Sequence, residues 1–182
     1  MDQEKFSAKK SARRSSAKTN EGSKRSKPSA GSQKNLLKAG LYLVATPIGN
    51  LQDLSLRGVE ILQNVDVIAC EDTRVTGKML SRHAIDTAMK AYHEHNAERA
   101  RPGLLRIIKA GGAVALVSDA GTPAISDPGF RLVNECILQG LEITAAPGAN
   151  AAITGLILSG LPTDRFLFAG FLPVKSNQRT KE

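Results

Sequence analysis

Three stretches of the chain gather small, polar and acidic residues in patterns that could grip a ligand. The longest is Ser118-Asp119-Ala120-Gly121-Thr122-Pro123-Ala124-Ile125-Ser126-Asp127-Pro128-Gly129. A plain connection between a strand and a helix needs only about two to six residues, so this one carries more than a turn requires. Gly121 and Gly129 would let the backbone approach a ligand closely, and Asp119 and Thr122 offer polar contacts. Asp127 as N-cap and Pro128 in the first helical position account for its end as a helix entry, but not for its first nine residues. The other two stretches are Thr46-Pro47-Ile48-Gly49-Asn50 and Pro147-Gly148-Ala149-Asn150-Ala151-Ala152. Small residues at a helix start admit a flat ligand, although either stretch taken alone also reads as an ordinary turn.

Two further clusters could move protons. Glu71-Asp72-Thr73-Arg74 offers carboxylates beside a guanidinium, and Tyr92-His93-Glu94-His95-Asn96 offers imidazoles beside a carboxylate. An imidazole lies closest to the useful pKa range for a general base near neutrality; Asp72 and Glu94 are the carboxylate alternatives. The plainer readings are a helix cap by Asp72 with a surface Arg74, and a solvated polar loop at 93–96. The chain has no GxxxxGK[ST] and no GxGxxG after its first strand, which disfavours P-loop and dinucleotide-binding readings. Its two cysteines, Cys70 and Cys136, form no CxxC, and no spaced ligand cluster points to a metal.

In open α/β sheets ligands bind beyond the carboxyl ends of the strands, so the elements around these loops decide whether the loops meet. Short apolar runs predict strands at 41–45, 65–70, 113–117, 141–145 and 166–171. Helical spacing of apolar residues predicts helices at 55–63, 73–81, 98–110, 130–138 and 150–158. Pro102 falls near the start of the third helix, where it is tolerated, and Gly111-Gly112 closes it. The run at 113–117 is apolar on both faces and belongs in the middle of a covered sheet. The alternation implies an α/β fold with a mostly parallel sheet flanked by helices.

Composition sets outer bounds. Hydrophobic residues make up 41% of 182 residues, aromatics only 4%, and Trp is absent, so the core must be aliphatic and an extended base-stacking platform is not expected. Residues 1–40 hold 11 Lys/Arg against 3 Asp/Glu, leaving 14 of each in the rest, so the net +8 resides at the start of the chain. Residues 1–38 are expected to be a disordered basic tail, either a solubilising extension or a tether to nucleic acid. No apolar run reaches membrane-spanning length, since 149–161 is broken by Thr154, Gly155 and Gly160. The N-terminus lacks the apolar region of a secretory signal, and Asp2 and Glu4 argue against a transit peptide. A cytoplasmic protein without membrane contact is expected.

Five blocks, in order, resemble a known family: Val44-Ala45-Thr46-Pro47-Ile48-Gly49-Asn50-Leu51, Glu71-Asp72-Thr73-Arg74, Tyr92-His93-Glu94-His95-Asn96, residues 115–129, and Gly160-Leu161-Pro162-Thr163-Asp164-Arg165-Phe166. Together they closely resemble the ribosomal RNA small-subunit methyltransferase I family, within the tetrapyrrole-methylase-like (class III) superfamily, over about residues 40–175. The resemblance implies S-adenosyl-L-methionine as donor and the 2′-hydroxyl of a decoding-region cytidine in 16S rRNA of the small ribosomal subunit as acceptor. It implies a cleft between two α/β domains and a homodimer when full length. Residues 39–168 would be the cofactor-binding N-terminal domain, and 169–182 an interdomain linker or the start of a second domain that the chain does not reach. On that reading the chain is a fragment, a truncated product or an incomplete gene model.

The resemblance places Pro47, Asp119, Gly121, Thr122, Ile125, Asn150 and Ala151 at the cofactor, Arg74 and Lys78 at the RNA, and a base among His93, Asp72 and Glu94. Ala124 stands where the family usually has Gly, and Ala149-Asn150 where Pro-Ser is common. A carboxylate about 4 Å from a sulfonium, at an effective dielectric near 20, would favour the reactant by roughly 4 kcal/mol. Asp119 is therefore expected to hold the cofactor's polar groups and not its sulfur. Three alternatives stay open: a tetrapyrrole methylase of the same superfamily, an inactive remnant that binds cofactor weakly or only RNA, and RNA binding by the tail alone.

Overall fold

The structure is a computed structural model and describes residues 37–126 and 129–181. Of the disorder expected at 1–38, residues 1–36 lie outside the described residues, as does the helix entry at Asp127 and Pro128; Leu37 and Lys38 are described, Leu37 packing against the core and the Lys38 carbonyl accepting the Tyr42 hydroxyl. Five strands, β1 (Gly40–Val44), β2 (Val67–Cys70), β3 (Met89–Ala91), β4 (Ala113–Val117) and β5 (Ile143–Ala146), form one sheet in the order β3-β2-β4-β1-β5. Every pairing is parallel, with Leu41 opposite Val114 and Ile143, and Ile68 opposite Ala115 and Met89. Parallel strands need a crossover, and each is a helix.

Helices α1 (Leu56–Asn64) and α2 (Thr73–Arg82) pack on one face, and α3 (Ala97–Lys109) and α4 (Gly129–Leu138) on the other. The first face buries Ile61, Leu62, Met79 and Leu80 against Val44, Ile68 and Val117. The second buries Leu104, Leu105, Ile108, Leu132 and Cys136 against Leu41, Val114 and Leu116. All five residues of β4 are buried, as the doubly apolar run requires. The core is aliphatic, with Tyr92 its one buried aromatic.

Local signals set the helix ends. Ser55 accepts the N–H of Gly58 and Asp72 that of Arg74, capping α1 and α2. Gly111 and Gly112 donate back to Ile108 and Ile107, closing α3. Pro102 lies deeper in α3 than a start position, as its sixth residue; the carbonyl it leaves without a donor belongs to the solvent-exposed Glu98. No helix among the described residues is long and apolar enough to cross a membrane.

The sequence predicts five strands and the structure has five, but one differs. Residues 166–171 form no strand. They pair with neither outer strand, β3 or β5, and their apolar side chains are exposed. The strand the sequence does not announce is β3, three residues without a β-branched side chain, held in place by pairing with β2.

Beyond β5 the chain leaves the core. Helix α5 (Ala151–Leu158) is apolar but for Thr154 and buries none of its residues, and α6 (Ser176–Arg179) is a single turn. Leu158, Leu167, Phe171 and Val174 are each 79% exposed or more. A helix that is apolar all round is ordinarily covered on all sides.

Candidate functional site

The parallel sheet brings the loops after β1, β4, β5 and β2 to one carboxyl edge, where hydrogen bonds join them. Thr46, after β1, and Gly121, after β4, exchange both backbone bonds: Thr46 N–H donates to the Gly121 carbonyl at 2.9 Å, and Gly121 N–H to the Thr46 carbonyl at 3.0 Å. The Thr46 hydroxyl, buried, donates to the carbonyl of Ser118 at 3.1 Å, and the Ser118 hydroxyl to that of Gly121 at 3.2 Å. Thr122 reaches across to the loop after β5, its hydroxyl donating to the Ala149 carbonyl at 3.1 Å. On the other side, the Asp72 N–H donates to Asp119 Oδ1 at 3.1 Å.

Glycine and strained alanine shape the long loop. Gly121 has φ +86°, a conformation side chains resist. Ala124 at φ +69° and Ser126 at φ +54° adopt the left-handed region without being glycine. Such strain persists only where surroundings enforce it, and it gathers at ligand sites. Between them Ile125 is held out, 46% exposed. Pro47 is buried beneath the edge, and Ala151 is exposed at the first turn of α5. Asn150 spends its side-chain oxygen as the N-cap of α5, accepting the Ile153 N–H at 3.1 Å.

Asp72 is strongly engaged. Its Oδ1 accepts the Arg74 backbone N–H at 2.8 Å and Nε at 3.1 Å, and its Oδ2 accepts Arg74 Nη2 at 2.6 Å. The Arg74 side chain, then its backbone N–H, hold the Asp72 carboxyl down to about 2. A carboxylate of such low basicity is a poor general base near neutrality. Arg74 is 87% exposed despite the pair, and Lys78 follows one turn along α2, also exposed. Burial pushes the thiol of Cys70, at the end of β2, above its ordinary value, partly offset by Thr76 and reinforced by Asp119 and Asp72; it is no thiolate nucleophile.

His93 and Glu94 stand apart. They follow β3, the outer strand, two strand spacings or about 10 Å from the end of β4. The His93 N–H donates to Asn96 Oδ1 at 2.9 Å, and Asn96 Nδ2 donates to the Ala91 carbonyl at 3.0 Å, so the loop closes on itself. The same contact leaves α3 without a side-chain N-cap from Asn96. The His93 ring is partly buried, with Nδ1 enclosed and without a partner, and it meets His95 edge-on at 6.0 Å between ring centroids. Glu94 is exposed.

The structure thus joins Asp119, Gly121 and Thr122 to the loops carrying Pro47, Asn150 and Asp72, and sets His93 and Glu94 to one side. Sequence reasoning misses Thr46 and Ser118 as the residues that fasten the loops. The available signal is a hydroxyl residue closing each of two apolar strands, at Val44-Ala45-Thr46 and Leu116-Val117-Ser118. The described clefts open elsewhere; one of about 440 Å³ lies at the amino edge between Leu37, Arg57 and Glu142.

Comparisons with known proteins bear on this edge. The family described as Tetrapyrrole (Corrin/Porphyrin) Methylases matches residues 40–180. A protein of Mesorhizobium japonicum named ribosomal RNA small subunit methyltransferase I is 55% identical over 143 residues, covering 79% of this chain and 49% of its own. Proteins of the same name from Rickettsia prowazekii and Haemophilus influenzae are 49% and 52% identical over 80% and 76% of this chain. The chain spans about half the length of these relatives. Among solved structures, a uroporphyrin-III-C-methyltransferase from Thermus thermophilus superposes with TM-score 0.53 at 21% identity, over 68% of this chain and 54% of that one. A cobalt precorrin-4 methyltransferase does so with TM-score 0.52 at 17% identity, over 65% and 49%. At these identities the likeness is one of fold.

Proposed function

Because the chain belongs to the tetrapyrrole (corrin/porphyrin) methylase family, we propose that it supplies the S-adenosyl-L-methionine-binding half of a methyltransferase acting on the ribose 2′-hydroxyl of a cytidine in small-subunit ribosomal RNA. The observation that carries this reading is the fastening of loops 46–50, 118–126 and 147–150 into one carboxyl edge by Thr46, Gly121 and Thr122. About half-identical relatives named for that ribosomal RNA activity set the acceptor class. On this reading the partner is the small ribosomal subunit, which the relatives' names support, the place is the cytoplasm, and the full-length form is a homodimer.

The residues at this edge fit a flat, partly charged ligand. Gly121 leaves backbone bare, with only ordinary contacts where a side chain would begin. Ile125 offers an exposed apolar surface, and Asp119 keeps one oxygen that no described hydrogen bond uses. Gly121, Thr122 and Ile125 would hold the cofactor from the loop after β4, with the loops at Pro47 and at Asn150-Ala151 flanking it. When bound, S-adenosyl-L-methionine supplies a methyl group made electrophilic by its sulfonium.

The protein's own contribution is alignment of the reacting atoms and removal of a proton. Loops fixed to one another hold a ligand in one pose, which converts an encounter into an oriented contact. Asp72, occupied by Arg74, is unsuited to accept a proton; the pair presents the exposed Arg74, with Lys78, toward RNA phosphate. Of the candidate bases His93 is the one left, acting through Nε2 because Nδ1 is enclosed; standing beyond β2 from the cofactor loop, it would meet the ribose only where the RNA spans that distance, and Glu94 borders it.

The test is a titration of the chain with S-adenosyl-L-methionine into the millimolar range, followed by amide chemical shifts. Shifts confined to 46–50, 118–126 and 147–152 are expected, with weak affinity because half a cleft leaves the ligand open. No shifts, or shifts elsewhere, would overturn the reading. The acceptor is tested by offering unmethylated small ribosomal subunits and a precorrin to a full-length relative: label should enter the RNA alone.

A further inference from the structure

We propose that the groove between α3 and α4 is a binding track for the phosphate backbone of RNA, an inference that rests on the ribosomal RNA reading. Arg101, Arg106 and Lys109 on α3 face Glu135 on α4 and Gln139 just past its end across a cleft of about 380 Å³, floored by Pro102 and Leu105. The three cations spread over eight residues of helix, about 12 Å, a row of separate charges suited to a chain of regularly spaced anions. Among the described residues no carboxylate pairs with any of them. The one acid in the groove, Glu135, is taken by its neighbour: its Oε1 accepts Gln139 Nε2 at 2.6 Å.

The position of the groove gives it a direction. Its upper end lies at the carboxyl edge, where Arg101 neighbours the hydroxyl of Tyr92, the residue before His93. Its lower end, at Lys109, reaches the turn that enters β4. A strand whose target ribose sits at His93 could therefore continue down the flank of the molecule. The protein outside residues 1–40 has no net charge, so a stripe of unpaired cations here is a segregation of charge and not a general excess. A polyanion fits it better than a folded acidic partner, because the cations line a narrow groove and not a broad face.

The experiment measures binding of a short RNA by the full chain across a salt series. Each phosphate contact contributes roughly 0.7–0.9 to the slope of log K against log salt. Arg101→Gln, Arg106→Gln and Lys109→Gln together should flatten that slope by about 2, while Arg82→Gln with Lys175→Gln, away from the groove, should flatten it by much less. Glu135→Gln should tighten RNA binding several-fold and serves as the second variant, since it adds no bulk. Poly-glutamate binding unchanged in the triple variant, beside a flattened RNA slope, agrees with the proposal. An unchanged RNA slope in the triple variant, or an equal loss of poly-glutamate binding, overturns it. The cofactor titration reads the carboxyl edge separately, so failure there with a flattened RNA slope removes the methyltransferase reading and not the groove.

Discussion

The carboxylate of Asp119 accepts the backbone N–H of Asp72 across 47 residues of sequence, at 3.1 Å. One side chain at the end of β4 thereby fixes the start of the loop after β2, where the Arg74-Asp72 pair is built. The loop proposed to hold cofactor and the loop proposed to face RNA share this bond. Asp119→Ala should free the Asp72 amide, raising its hydrogen exchange about tenfold, as expected for loss of a bond to a charged acceptor. It should also weaken the amide shifts induced by S-adenosyl-L-methionine. Unchanged exchange at Asp72 would show the bond absent in solution.

Thr46 is the central fastening of the edge. Its hydroxyl is buried and donates to Ser118 and Gly121 carbonyls at 3.1 and 3.4 Å. Thr46→Val keeps the shape and deletes the donor. The expected cost is about 1–3 kcal/mol of stability, measured by urea unfolding, together with faster exchange of the Gly121 amide. A variant as stable as the parent would mean that the two loops are held by backbone bonds alone.

Protonation of Asp72 gives a pH prediction. Its carboxyl falls from 3.8 to about 2 on folding because of Arg74. A depressed carboxyl contributes stability that is fully present above its unfolded value and lost as pH falls through its folded one. The contribution should therefore be intact above about pH 5 and should be lost progressively as pH falls from there toward about 1. Carbon-detected titration of the Asp72 carboxyl reads this directly. Arg74→Gln should return the midpoint part of the way toward 3.8, because the backbone N–H of residue 74 still donates to Oδ1.

Why some of this was legible and some not follows from which forces are local. The doubly apolar run at 113–117 announces a central strand because burial on both faces leaves no polar alternation, and β4 is fully buried. The cap at Asp72 is legible because its side chain and its backbone partner lie within two residues. β3 is not, because Met89-Lys90-Ala91 carries no strand signal and exists through its ladder with β2. The run at 166–171 misleads for the converse reason: its apolar residues are exposed here, so their hydrophobicity reports a surface and not a strand. At the site, the loop after β4 stands out by composition, but the side-chain uses of Asp119, Thr122 and Asn150 do not. Asp119 and Thr122 contact loops distant in sequence, and Asn150 caps its own helix.

The strain in the long loop yields the last prediction. Ala124 holds φ +69°, in a region that costs an L-residue roughly 1–2 kcal/mol. Its backbone is pressed from the far side by α4: a Cβ placed on Gly129 would meet Leu116 Cδ2 at 2.8 Å and the Ala124 backbone nitrogen at 3.2 Å. The two positions should respond in opposite directions. Ala124→Gly removes the strain but frees the unfolded chain, by about 0.4–1 kcal/mol, so the net gain in stability should be up to about 1 kcal/mol. Gly129→Ala drives a methyl group against β4 and the loop backbone, and should cost about 1–3 kcal/mol. Thermal unfolding of both variants measures the pair. If Ala124→Gly destabilised the chain, the left-handed turn would not be the one populated in solution, and the support it gives to Ile125 at the ligand edge would be lost with it.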